Sequence, residues 1–124
     1  MAPPRIVITG TGAICGSGRT PAEILAAINA GTSAVGPIAQ WDAGRWPTRI
    51  AAEVPDYNAG ALTGDRKLLK FIRRTDVFGL YAADRAIEDS AWPAWRETLD
   101  ADAATRFADT TGVFVGSGSG NFGN

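Results

Sequence analysis

Along the chain the first apolar cluster is a short β-branched run at residues 5–9, in which Ile6, Val7 and Ile8 are adjacent. Consecutive apolar positions predict a strand covered on both faces. Glycines at 10, 12, 16 and 18 follow, marking a tight turn where side chains would obstruct close backbone approach. Thr20 and Pro21 have the form of an N-cap with proline at the first helical position, and Ile24, Leu25 and Ile28 recur at helical spacing until Gly31. The opening is predicted as strand, glycine turn, helix.

Residues 32–64 lose this regularity and carry Pro37, Pro47, Pro55 and four glycines, with one strand pattern at 49–54. A segment this long is not a plain connection. It is expected to be an excursion with its own small hairpin and with Trp41 and Trp46 as a private core. Residues 65–91 form the longest predicted helix, its inward stripe made by Val77, Leu80, Ala83, Ile87 and Ala91. A polar, tryptophan-containing connection with a short helix is expected over 92–109, and a second buried strand over 112–115, running into another glycine turn. Strands alternating with helices predict an α/β layered fold. A strand and glycine turn at each end also predict that the chain is the front part of a larger fold, since a buried strand needs neighbours on both sides.

Composition narrows the classes. With 124 residues, 45% hydrophobic and 20% charged, the chain has the makeup of an ordinary soluble domain. A formal net charge of -1 argues against a general polyanion binder, so no nucleic-acid partner is expected. No apolar run approaches a membrane span and the N-terminus lacks a signal-peptide pattern, which predicts a cytoplasmic protein. One cysteine and no histidine exclude an internal disulfide and predict no metal site of the nitrogen and sulfur type.

Three segments carry candidate chemistry. Residues 11–18 fit a T-G-x-x-x-G-x-G dinucleotide pattern, in which glycines bring a pyrophosphate to a helix N-terminus. The Tyr-x-x-x-Lys pair of related dehydrogenases is absent, because Tyr57 is followed at that spacing by Ala61 and Tyr81 by Arg85. A structural role for these glycines is favoured, with a NAD(P)-binding dehydrogenase fragment as the competing reading. Residues 65–74 hold five basic side chains and one acid. On a continuous helix Lys67, Lys70 and Arg74 would share a stripe beside Arg66 and Arg73, a positive face for an acidic partner or a solvated surface. Cys15 lies in a glycine turn but has no histidine to serve as its base, so it is read as packing rather than as a nucleophile.

Four segments in order resemble the N-terminal half of a β-ketoacyl-[acyl-carrier-protein] synthase of the type I/II condensing-enzyme family. They are RIVITGTGAICGSG, WDAGRWPTRIAAEV, RRTDVFGLYAADRAIEDSA and TGVFVGSGSG. The resemblance implies a thiolase-like α/β/α fold, incomplete over 1–124, with 32–64 as an inserted loop and hairpin region. It also implies a decarboxylative Claisen condensation of an acyl thioester with malonyl-carrier protein, in fatty acid or polyketide synthesis, by a homodimer without a cofactor.

In the family the nucleophilic cysteine and the two histidines lie beyond the position of Asn124. No catalytic residue is therefore expected in these 124 residues, which alone are expected to be inactive. Lys70, Arg73 and Arg74 match the positions at which family members dock the acidic acyl carrier protein. Ser119 matches a position in the second glycine turn where a bulkier apolar residue often gates the acyl pocket. Asn121 departs from a usual glycine, which leaves open a non-condensing homologue of the chain-length-factor kind that docks a carrier protein.

Overall fold

The computed structural model describes residues 3–116 and 118. Helix α1, Pro21–Asn29, starts at an N-cap: the Thr20 hydroxyl accepts a hydrogen bond from the Glu23 N–H (3.1 Å). The Glu23 carboxylate in turn accepts from the Arg19 N–H at 2.6 Å. One of the helix's otherwise unpaired amide donors, the Glu23 N–H, is thereby satisfied, together with the amide of Arg19 just before the cap, a gain of about 1 kcal/mol for the cap. Beyond the helix, Gly31 takes φ 64, a left-handed conformation that glycine adopts without strain.

Strands β1 (Val35–Pro37) and β2 (Ile50–Ala52) pair antiparallel, with Val35 opposite Ala52 and Pro37 opposite Ile50. The Glu53 carboxylate clamps the loop between them, accepting from the N–H groups of Ala39 (2.9 Å) and Gln40 (3.3 Å). Trp41 and Trp46 meet edge to face with ring centroids 5.5 Å apart. They do not form a private core, however, for they remain 48% and 59% exposed, while the small Ala43 is buried in their loop. Two large rings on a 12-residue hairpin loop bury against each other only where they touch.

The single helix expected over 65–91 is instead broken. Short helix α2, Ala59–Thr63, capped by the Asn58 side chain, ends at Gly64 with φ 67. The Asp65 carboxylate then accepts from the Lys67 N–H at 2.7 Å, and Leu68–Lys70 makes one 3-10 turn. Helix α3, Arg74–Asp89, begins only where the Asp76 carboxylate reaches back to the Arg73 N–H at 2.8 Å. Local acceptors explain the break, because an aspartate that hydrogen-bonds nearby amides competes with helix propagation and favours turns and caps. Lys67, Lys70 and Arg74 therefore do not share a helical stripe.

The covered face of α3 also differs from the expected one. Val77 is 1% exposed, but Leu80 (43%) and Ile87 (37%) lie on the open side. Phe78, Tyr81, Ala82, Arg85 and Ala86 are the half-buried positions. The cause is the glycine segment, which lies directly on the helix backbone. A Cβ on Gly12 would stand 1.9 Å from the Ala82 carbonyl oxygen, and one on Gly10 would stand 2.2 Å from that of Ala86. Asp89 fixes this contact, its carboxylate accepting from the Thr11 N–H (2.9 Å) and hydroxyl (3.3 Å). Close approach selects the alanine face, not the leucine and isoleucine face.

After α3 the chain forms α4 (Trp92–Arg96) and α5 (Ala101–Thr110), where Trp92 and Trp95 pack against Phe107 with centroids 5.5 and 5.3 Å away. The two flanking segments are the main departure from expectation. Residues 5–9 and 112–115 join no ladder among the described residues, and they are open rather than buried: Ile6 is 93% exposed and Phe114 97%. Apolar strands are covered only where another layer lies over them, and none of the described elements does so. The accessible surface of 10104 Å² compares with about 6,300 Å² for a compact monomer of this mass.

Candidate functional site

The basic residues converge at the start of α3 even though no single helix carries them. Lys70 closes the 3-10 turn, Arg73 caps α3 and Arg74 is its first residue, and all three are exposed. Arg66 and Lys67 lie just upstream, also exposed. The cluster is a cationic rim built on a turn and a helix start. Such a position opposes the helix dipole, costing about 0.3 to 1 kcal/mol per charge at most, and Asp76 in the first turn offsets part of it.

Within this rim the three side chains are not equivalent. The Arg74 guanidinium lies over the Tyr57 ring, 4.4 Å from its centroid, and 5.5 Å from that of Phe78. Tyr57 and Phe78 themselves meet edge to face at 5.5 Å. Arg74 also donates a hydrogen bond to the Gln40 side-chain oxygen in the hairpin loop. Lys70, by contrast, has no hydrogen-bond or carboxylate partner for its ammonium group among the described residues. Sequence reading grouped these cations by charge and by their match to the family's docking positions. It missed Gln40, Tyr57 and Phe78: Phe78 lies at helical i, i+4 spacing from Arg74, but no short-range pattern signals the other two, Gln40 being 34 positions away.

The first glycine turn is filled by the protein itself. Cys15 is half-buried in a closed turn, its N–H donating to the Gly18 carbonyl at 2.9 Å, and Gly16 lies against Ala34, Ala52 and Glu53 of the hairpin. The α1 N-terminus, where a pyrophosphate would sit, already holds the Glu23 carboxylate, and Gly10 and Gly12 are occupied by α3. An anion there would meet a negative charge, and the Glu23 N–H is already given to Thr20. Among the described residues no group of three or more aspartate, glutamate, cysteine or histidine side chains could hold a metal ion. None of their helices is long and apolar enough to cross a membrane.

Ser119 lies outside the described residues, as do Ser117 and Gly120 of the glycine turn. An open cavity of about 450 Å³ is lined by Thr9, Ser90, Trp92, Trp95, Phe107 and Thr111. Elsewhere on α3, Arg85 pairs with Asp84 and Glu88, both at 2.6 Å. Its pKa is raised further by the hydrogen bond it donates to Asp84 and by the charge of Glu88, which keeps it a fixed cation rather than an acid or base.

A short hairpin, helices backed onto a glycine turn and a cationic rim at the longest helix make a mixed unit of helices with few strands, compatible with part of an α/β fold. The chain belongs to the β-ketoacyl synthase family: the family model described as "Beta-ketoacyl synthase, N-terminal domain" matches residues 4–124. That family implies a thiolase-like fold.

Among similar proteins is a 3-oxoacyl-[acyl-carrier-protein] synthase 2 of Coxiella burnetii, 41% identical over 117 residues, covering 94% of this chain and 26% of that protein. Another of the same name, from Synechocystis, is 33% identical over 116 residues, with 94% and 26% covered. A Streptomyces coelicolor protein, provisionally named polyketide beta-ketoacyl synthase 2, is 30% identical over 119 residues, with 96% and 26% covered. The chain thus spans about a quarter of the length of these curated relatives.

Proposed function

We propose that these residues serve a β-ketoacyl-[acyl-carrier-protein] synthase acting in fatty acid or polyketide synthesis, as part of an α/β/α thiolase-like domain in which 32–64 is an insert. In that reaction an acyl group is held as a thioester on a cysteine and malonyl-carrier protein loses carbon dioxide. The resulting carbanion attacks the thioester carbon, and the thiolate leaves as the new carbon–carbon bond forms. The step needs an activated thiol and donors that stabilise the developing oxyanion. No catalytic residue is assigned to residues 1–124, so their share is recognition, and alone they are inactive. Homodimerisation and a cytoplasmic location belong to the same proposal.

The observation that carries this reading is the exposed cationic rim at the start of α3 in a chain of this family. Acyl carrier protein is acidic, and exposed complementary charge steers and registers such a partner. Lys70 and Arg73 contribute charge at the rim, and Ser119 is assigned to the mouth of the acyl pocket, where a small side chain leaves room for a longer acyl chain.

The test is carrier-protein titration of the full-length protein. Lys70→Glu with Arg73→Glu is expected to weaken binding about tenfold and to flatten its salt dependence. Unchanged affinity would return the rim to ordinary solvated surface. Carrier binding without carbon dioxide release by the unmodified protein would point to a non-condensing homologue. In the same assay, acyl donors of graded length read the Ser119 role, with Ser119→Ile expected to shift the profile towards shorter chains. An unaltered profile removes that role.

A further inference from the structure

We infer that Arg74 is a positioning residue of the docking rim and not one of its contact charges. The inference rests on the docking reading above and on what Arg74 itself touches. Arg74 begins α3, yet its guanidinium joins three separate parts of the chain: Gln40 in the hairpin loop, Tyr57 after β2, and Phe78 one turn along α3. One ring face and one directed hydrogen bond are used inside the molecule. A planar guanidinium suits this double task, and an ammonium group does not.

A second arginine closes the circuit. One terminal nitrogen of Arg19 donates to the carbonyls of Pro55 (2.6 Å) and Asp56 (3.0 Å), and the Tyr81 hydroxyl donates to the Arg19 carbonyl (3.3 Å). Asp56 sits at φ 48, a conformation uncommon for residues other than glycine, and these bonds hold it there. The path runs from Tyr81 of α3 through Arg19 to the 55–57 segment, then through Tyr57 and Arg74 back to α3. The hairpin region is thereby strapped to the helix start that carries Lys70 and Arg73. Releasing Arg74 frees the strap at the end nearest the rim.

Binding and hydrogen exchange of the full-length protein, with purified acyl carrier protein as the probe, separate the two roles. As a positioning residue, Arg74→Lys and Arg74→Gln both weaken binding by about three- to fivefold, agreeing within a factor of two, because both lose the planar stack. Both also speed amide exchange at 38–41 and 56–58, which a simple contact charge would leave unaltered. Arg74→Lys binding as tightly as the unmodified protein while Arg74→Gln does not would make Arg74 a contact charge and overturn the inference. Unaltered exchange in both variants overturns it equally. The failures are distinguishable: if Lys70→Glu with Arg73→Glu leaves affinity intact, the docking reading falls, and the strap is then decided by exchange alone.

Discussion

The stretch from the glycine turn through α3 and the two flanking apolar segments make opposite use of similar sequence signals. In the first, side chains clamp backbone across long separations: Asp89 holds Thr11, Glu53 holds Ala39 and Gln40, and Arg19 holds Pro55 and Asp56. In the second, Ile6, Val7, Ile8, Val113, Phe114 and Val115 are each at least 65% exposed, although their pattern is the more strongly strand-like. Apolar character creates a demand for burial but does not supply the covering layer. Polar clamps and glycine contacts secure position with very little buried core, just Ala43, Val54, Leu62 and Val77 among the described residues.

The largest effect expected would break this contrast. The relatives extend well beyond the matched quarter of their length, so in the full-length protein the flanking segments are expected to be covered. Phe114→Ala is then predicted to cost about 3 kcal/mol or more in a denaturant titration. A loss below about 0.5 kcal/mol, the range of exposed substitutions, would leave the flank as open surface.

A smaller effect sharpens the other side. Gly12→Val places a side chain into the Ala82 carbonyl of α3 and is predicted to cost about 2 to 3 kcal/mol by the same measurement. Gly79→Ala, on the open side of that helix with nothing within 4 Å of the added carbon, should instead stabilise by up to about 1 kcal/mol. Equal effects at the two glycines would mean that the turn does not rest on α3.

Legibility followed the range of the interactions. Helix α1 was readable because Thr20, Pro21 and Gly31 act within one short segment. The start of α3 was misread because charge and periodicity over 65–74 suggested a continuous helix, while Asp65 and Asp76 redirected the local hydrogen bonds. The strand patterns of 5–9 and 112–115 were real as patterns, but burial is a property of neighbours. Of the candidate site, the cationic cluster was legible and its internal division was not, because Arg74 is held by residues from two other segments.

By itself, then, the amino-acid sequence determined the local starts and stops, the hairpin-bearing excursion, the positive charge before α3 and the resemblance to condensing enzymes that the family match supports. Only the tertiary structure decided which face of α3 is covered and what Arg74 touches within the molecule. Caps, turns and net charge arise from residues a few positions apart. The choice of face arises from how closely Gly10 and Gly12 approach Ala82 and Ala86, some seventy residues later, a distance that no local pattern encodes.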